Sequence, residues 1–399
     1  MAIEEWERER EREEWEKRPY KRHHSRYQKR FYRSLSAAER QLRQQRIPRD
    51  SLLNVHETSW RKLYYSYNNQ ALITATGLDH PTFEYLLGKF QPIFDSTTPF
   101  GSDDERYIKT TTRGREWKVL AMDCLGLVLV WTRTQGSLFS LQMDFGLSMT
   151  NLTEYLRFGR RIVVEVLKND KYAKIAIPSP EKVDEYKQAI SAKYPILNDV
   201  WATMDGLKTP IQQAGSTKKQ SYFYNGWKHG HFVVLVFCFC PDGTIPIAFM
   251  NCPGATHDST VSEWGDIYNK LERVFEETGG ICCVDSAFRM RNCPYIIKSS
   301  QNNLIGNGAT LEEVRHDIAR KRAATSMRQA AEWGMRGIQS SFPRLYDRMR
   351  FEIKGERRIA IKMMILLYNL RARLVGINQI KNVYMPALRT EARGCIHNY

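Results

Sequence analysis

The stretch Val200-Trp201-Ala202-Thr203-Met204-Asp205-Gly206 is an apolar run that ends in an aspartate. A second apolar run, Ile281-Cys282-Cys283-Val284, is followed directly by Asp285. Runs of this length and composition are typical of buried strands, so both aspartates are expected at strand ends. Farther along the chain, Glu332 lies in a helical stretch rich in Arg and Ala. The pattern predicts three carboxylates that converge from separate elements.

Three such carboxylates suit a divalent cation. Mg²⁺ prefers oxygen ligands and is usually held by a few carboxylates. Two strand-end aspartates and one helix-borne glutamate are a ligand set for two-metal phosphoryl transfer on nucleic acid. We therefore predict Asp205, Asp285 and Glu332 as catalytic residues and as ligands of two Mg²⁺ ions, for which Mn²⁺ can substitute. The alternative is that each acid is an ordinary surface or helix-cap residue.

The composition favours a polyanionic partner. The chain of 399 residues has 60 Lys and Arg against 44 Asp and Glu, a net charge of +16 at pH 7. A basic protein that is merely soluble is the alternative. No apolar run approaches the roughly 20 residues that span a bilayer, and the N-terminus lacks the apolar core of a signal peptide. An intracellular protein without membrane contact is expected. The eight cysteines form no matched CxxC pairs, so reduced thiols are expected instead of a zinc site.

The sequence divides into five predicted segments. They are a charged tail with a basic stretch (1–50), a helical domain (51–170), a linker and helix (171–195), a catalytic α/β domain (196–376) and a C-terminal tail (377–399). The basic stretch, from Lys17 to Arg33, contains no acid and is interleaved with aromatic residues. It is a candidate nuclear-import signal, an arm along DNA phosphates, or a surface without a role. The first of these predicts a nuclear location.

The helical domain has the outline of a helix-turn-helix. A buried helix ends near Gly136, and a longer helix from Met149 to Leu167 follows, with Ser148 as its N-cap. In such a motif the second helix reads base edges and its basic residues hold phosphates. An ordinary helical hairpin is the alternative. Predicted DNA-binding residues are Thr150, Asn151, Thr153, Arg157, Arg160 and Arg161, together with Lys218, Lys219 and Lys228 after the first aspartate.

The catalytic half predicts a mixed sheet. Extended chain from Ser221 to Cys240 turns at Pro241-Asp242-Gly243 into a second strand, which makes a hairpin. A single helix is predicted from Asp258 to Glu277, and it precedes the strand that ends at Asp285. The fold class is therefore α/β, with a mixed-sheet catalytic domain behind a helical domain.

Five short motifs, in order, resemble the PIF/Harbinger DDE transposases. They are Asp205-Gly206, Tyr224–His229, Pro253–Ser259, Asp285–Phe288 and the pair of Arg328 with Glu332. The resemblance runs from about Lys193 to Asn369. It implies a ribonuclease-H-like catalytic domain that cuts element ends and joins the 3′-OH to target DNA. It also implies double-stranded DNA as substrate, a homo-oligomer and a Myb-like accessory protein.

Some alternatives stay open. The family commonly has Gly before the second aspartate, where this chain has Val284. Asp258 is a rival for that carboxylate, but the interval of 47 residues from Asp285 to Glu332 fits the family better than the 74 residues from Asp258. Asp258 is otherwise a helix N-cap, or a support residue together with His257 and Arg328. The alternative functions are a domesticated DNA-binding protein that no longer transposes and a nuclease without strand transfer.

Overall fold

The computed structural model describes residues 47–97, 119–213, 217–288, 293–298, 310–350 and 354–385. The basic stretch from Lys17 to Arg33 lies outside these ranges. No helix in the described ranges is both long enough and apolar enough to cross a membrane. Every cysteine within them is a free thiol, and all except Cys293 are buried, as predicted.

The first part of the chain is helical. Its α-helices are α1 (Ser59–Tyr65), α2 (Asn69–Thr76), α3 (His80–Ser96), α4 (Ala121–Arg133), α5 (Phe139–Phe145) and α6 (Met149–Leu167). α4 is apolar on nearly every side and runs through the centre of this region, packed on α3 and α6. Gly126 permits that close packing, because a Cβ there would lie 2.0 Å from the indole of Trp60.

The two predicted helices are present as α4 and α6, and the short helix α5 lies between them. Gly146 ends α5 with φ of 63°, a left-handed conformation that favours glycine. Ser148 caps α6 by accepting a hydrogen bond from the N–H of Asn151 at 3.5 Å. The predicted bounds of α6 are confirmed, since cap and periodicity are both local signals. DNA binding by this pair stays a prediction.

A mixed sheet forms the second part of the chain. Helix α7 (Pro180–Ser191) leads into strands β1 (Val200–Pro210), β2 (Tyr224–Asn225), β3 (Gly230–Phe239), β4 (Ile247–Pro253), β5 (Ile281–Val284) and β6 (Ile296–Lys298). The order is β2-β3-β1-β5-β6, and β4 pairs with β3. β1 and β3 are antiparallel, whereas β1, β5 and β6 are parallel. The inner residues of β1, β3 and β5 are almost completely buried.

Helices surround this sheet. They are α8 (Thr217–Phe223), α9 (Asp258–Trp264), α10 (Ile267–Thr278), α11 (Leu311–Ser341), α12 (Lys354–Leu374) and α13 (Gln379–Tyr384). α11 begins with a capping box in which Thr310 and Glu313 satisfy each other's backbone N–H. It crosses β1, β3 and β5. Gly334 allows that approach, because a Cβ there would lie 2.5 Å from the ring of Phe239.

Two local predictions are wrong. The single helix predicted from Asp258 to Glu277 is two helices, because Asp266 adopts φ of 55° and breaks the run between α9 and α10. The chain from Ser221 to Phe223 is helical instead of extended. Consecutive aromatic residues at 222–224 favour a strand locally. Tertiary packing decides otherwise, since it buries Phe223 and leaves Tyr222 and Tyr224 exposed.

Candidate active site

Asp205 and Asp285 lie side by side on neighbouring strands, Asp205 within β1 and Asp285 directly after β5. The predicted strand-end position of Asp205 is wrong, because β1 continues to Pro210. In the parallel pairing of β1 with β5, Met204 is opposite Val284, so the next residue on each strand is an aspartate. Each carboxylate accepts a hydrogen bond from the N–H that follows it, Asp205 from Gly206 and Asp285 from Ser286, both at 2.7 Å. The predicted convergence of these two acids is therefore observed, and strand register is its cause.

Asp205 is the more buried of the two. Desolvation is the main reason why the pKa of Asp205 rises to about 6, and the charges of Asp285 and Asp258 add to that rise. The N–H of Gly206 and the charge of Arg328 oppose it. A carboxylate in this environment is costly to ionise without a nearby cation.

Glu332 reaches the same region through Arg328. Both residues lie on α11, one helical turn apart. Arg328 Nη2 is 3.3 Å from Glu332 Oε1, and Arg328 Nη1 is 3.6 Å from Asp285 Oδ1. The guanidinium therefore connects the helix-borne acid with the strand-end acid. These side chains are partly exposed, so the contacts order the site more than they stabilise the fold.

Asp258 is a fourth carboxylate beside this site. It is the first residue of α9, and His257 occupies the cap position, so the N-cap interpretation of Asp258 is wrong. Its Oδ2 lies 2.5 Å from the point where a Cβ on Gly206 would be. Its Oδ1 is buried and has no hydrogen-bond partner in the described part of the chain. Burial raises the pKa of Asp258, with a contribution from Asp285, whereas Lys208, His257 and Lys228 lower it.

Lys298 is a site residue that the sequence interpretation missed. It ends β6, is 8% exposed, and donates from Nζ to the carbonyl of Ser286 at 3.2 Å. Burial lowers its pKa, and the charge of Asp285 opposes that change. The sequence holds one signal for this residue, because Lys298 directly follows the apolar run Tyr295-Ile296-Ile297.

The donor set suits a divalent cation chemically but is not assembled around one. Within the ranges that the structure describes, no group of three or more His, Cys, Asp or Glu is arranged to hold a metal ion. Arg328 explains this arrangement, because its guanidinium already supplies positive charge between Asp285 and Glu332. In this arrangement the three predicted ligands do not fit a shared ion.

The basic residues predicted to bind DNA differ in their surroundings. Arg160 and Arg161 contact the carboxylate of Glu356 on α12, with Nη2 at 3.0 and 2.7 Å. Arg160 also lies over the ring of Trp131. Both arginines thus connect α6 to α12. Arg157 pairs with Glu154 at 3.5 Å on its own helix.

The polar and lysine residues of that prediction are more open. Thr150 and Thr153 are exposed on the first turns of α6, and Asn151 is half-buried. Lys228 is exposed and near enough to Asp258 to lower its pKa. Lys218 and Lys219 lie in α8, and their side chains fall outside the described part of the structure. The DNA-binding role of all these residues stays a prediction.

The second half of the chain is similar to one family of known proteins. The model of the DDE superfamily endonuclease family matches residues 204–369, a range that holds Asp205, Asp258, Asp285 and Glu332. No curated protein and no solved structure matches the chain. Nucleases of the DDE superfamily typically use divalent metals and act on DNA. The mixed sheet is consistent with a DDE nuclease fold, and the match supports a transposase-derived nuclease family.

Proposed function

We propose that this protein is a DDE-type DNA transposase of the PIF/Harbinger subtype, with a ribonuclease-H-like catalytic domain. It cuts the ends of a DNA element and joins the freed 3′-OH to target DNA. The observation that carries the proposal is the register of β1 against β5, which places Asp205 and Asp285 next to each other. Glu332 joins them from α11 through Arg328.

The side chains have separable roles in this proposal. Asp205, Asp285 and Glu332 supply the oxygen donors for Mg²⁺, or Mn²⁺ in its place. Arg328 has to leave the two acids before they share a cation. A DNA phosphate is a suitable acceptor for it, because a guanidinium binds phosphate through two parallel hydrogen bonds. Substrate binding would then expose the donors that the free protein keeps paired.

A DNA-binding protein that keeps the fold but does not cut is the second candidate. The observation in its favour is the Arg328 bridge, which leaves no assembled metal site among the described residues. A nuclease without strand transfer is intermediate between the two candidates. The transposase proposal also includes assembly into a homo-oligomer, a Myb-like accessory protein and a nuclear location.

Cleavage of a supercoiled plasmid that carries candidate inverted ends tests the proposal. The full chain is incubated with Mg²⁺ or with EDTA, and excised, nicked and joined products are separated on a gel. We expect Mg²⁺-dependent excision and joining, and we expect Asp205→Asn, Asp285→Asn and Glu332→Gln to abolish both. Glu312→Gln, an exposed acid on the same helix as Glu332, is the matched control and should cut normally.

The other possible results of this cleavage assay indicate different functions. Cutting without joining indicates a nuclease, and binding without cutting indicates the domesticated protein. Full activity in one of the three acid variants removes that residue from the site. The absence of any DNA binding at low salt contradicts every version of the proposal, because phosphate contacts by Lys and Arg are strongest there.

A further inference from the structure

Trp227 is the most exposed large hydrophobic side chain in the described ranges, at 90%. It lies in the four-residue turn Gly226–His229 that joins β2 to β3. A tryptophan so open to water contributes little to the core of its own chain. Its exposure is therefore not explained by packing within the described part of the chain.

The turn that carries Trp227 is well ordered. Tyr224 pairs with His231, and Asn225 pairs with Gly230. The side chain of Asn225 accepts a hydrogen bond from the N–H of Lys228 at 3.0 Å, which closes the turn around Trp227. His229 adopts φ of 48°, a left-handed conformation that is strained for this residue. Such strain persists where the surrounding structure holds the backbone in place.

The same turn is attached to the segment that carries Asp258. Asn225, which is 8% exposed, donates from Nδ2 to the carbonyl of Gly254 at 2.9 Å. The N–H of Ala255 donates to the carbonyl of Tyr222 at 3.1 Å. A Cβ on Gly254 would lie 2.4 Å from the carbonyl oxygen of Phe232, so hairpin and segment are in direct contact. The position of Trp227 relative to the acids is therefore set by the fold.

The surroundings of Trp227 suit a polyanion. Between Asp205 and Asp242 the sequence has four lysines and no acid. Two of these lysines, Lys208 and Lys228, lower the pKa of Asp258, so they lie near the acidic site. Lysines near the acidic site can contact DNA phosphates. An aromatic ring among them adds a surface on which a base can stack.

We propose that Trp227 stacks on an unpaired DNA base next to the phosphate that is cut. The inference rests on the proposed function and names the form of DNA that the site prefers: an end or junction with at least one unstacked base. Stacking of a base on an aromatic side chain contributes roughly 5- to 150-fold in affinity. Hydrogen bonds already hold the backbone of the turn, which limits the backbone entropy that is lost on binding.

Fluorescence of 2-aminopurine tests this assignment without cleavage. The full chain is titrated, in EDTA, with a duplex that carries a three-nucleotide overhang and 2-aminopurine at its first unpaired position. A blunt duplex of the same sequence is the second probe. We expect the native protein to quench the overhang probe and Trp227→Ala to lose both the quench and about 5- to 150-fold of affinity. Trp227→Phe should retain most of both, and affinity for the blunt duplex should not change.

Tyr67→Ala is the matched control, because Tyr67 is 67% exposed in the helical region, outside residues 204–369. It should behave as the native protein does with both probes. Equal quenching and affinity for Trp227→Ala and the native protein overturn the inference. So does an equal loss on overhang and blunt probes, because that indicates a phosphate contact or a damaged fold.

A protein partner gives a different result again. If Trp227→Ala changes the oligomeric mass in light scattering but not DNA binding, the ring contacts a second copy and base stacking is wrong. If the native protein binds neither probe, the proposed function fails together with this inference. If the native protein cuts DNA and Trp227→Ala cuts and binds equally well, only this inference fails.

Discussion

Arg328 Nη1 lies 3.6 Å from Asp285 Oδ1, and through this contact a residue of α11 neutralises the acid that ends β5. The other end of the guanidinium is 3.3 Å from Glu332. One arginine therefore takes the place between two acids that a divalent cation would take. Its removal should leave the acids unneutralised.

Arg328→Gln should increase the affinity of the metal-free protein for Mn²⁺. Partly exposed ion pairs contribute about 0.2–1 kcal/mol each, so loss of the two contacts should lower Kd by about 2- to 30-fold. Isothermal titration calorimetry of the full chain with Mn²⁺ measures this change. Arg320→Gln is the control, since Arg320 pairs with Asp199. Unchanged or weaker Mn²⁺ binding in Arg328→Gln contradicts the competition between arginine and cation.

Asp205→Asn should stabilise the metal-free protein above pH 6. The pKa of Asp205 is about 6 in the folded state against an ordinary value of 3.8, so the native state holds more protons between these values and loses stability as pH rises. Ionisation of Asp205 lowers the free energy of unfolding by roughly 2–3 kcal/mol above pH 6, and this loss is absent below about pH 4. Urea unfolding at pH 4 and pH 8 measures it.

Glu276→Gln is the control for that measurement, because Glu276 is exposed on α10. It should change the free energy of unfolding by less than about 0.5 kcal/mol at both pH values. If Asp205→Asn and the native protein are equally stable at pH 8, the carboxylate of Asp205 is better solvated than its position indicates.

Gly206→Ala should destabilise the fold through Asp258. The new Cβ would lie 2.5 Å from Asp258 Oδ2, and overpacking of this kind costs about 1–3 kcal/mol. Asp258→Ala removes the obstructing carboxylate, so the double variant should recover part of that loss. A thermodynamic cycle from urea unfolding measures the coupling. If the two effects simply add, the contact between these residues has no energetic role.

Gly88→Ala is the matched control for backbone effects. Gly88 lies in α3 with nothing within 4 Å of an added Cβ. Replacement of a helical glycine by alanine should stabilise the protein by about 0.5–1 kcal/mol. The free energy of unfolding should fall in Gly206→Ala and rise in Gly88→Ala. Opposite changes would separate a steric effect at Gly206 from an entropic effect at Gly88.

The two faces of α6 should respond differently to mutation. Arg160→Ala removes a contact with Glu356 and packing over Trp131, so it should lower the free energy of unfolding by about 1–3 kcal/mol. Thr150→Ala and Thr153→Ala affect exposed side chains and should change stability by less than about 0.5 kcal/mol. If the helix-turn-helix prediction holds, the threonine variants should weaken DNA binding in an electrophoretic mobility assay. Native affinity in both threonine variants contradicts that prediction.

The sequence by itself determined the elements whose signals are local. The bounds of α6 followed from an N-cap at Ser148 and a helical period, which depend on residues within one or two turns. The end of β5 at Val284, directly before Asp285, was predictable from an apolar run that stops at a charged residue. The same signal failed for Asp205, because β1 continues to Pro210. The convergence of these two acids was predicted, but the parallel register that produces it was not.

Only the tertiary structure decided which partners these residues have. Arg328 contacts Asp285, Asp258 lies against Gly206, and Arg160 contacts Glu356 from 196 positions away. Such contacts depend on how whole elements pack, and no property of neighbouring residues specifies them. The break at Asp266 is different, because Gly265 directly before it is a local signal that the helix prediction passed over. Because of this long-range packing, Arg328 supplies positive charge between the predicted acids Asp285 and Glu332.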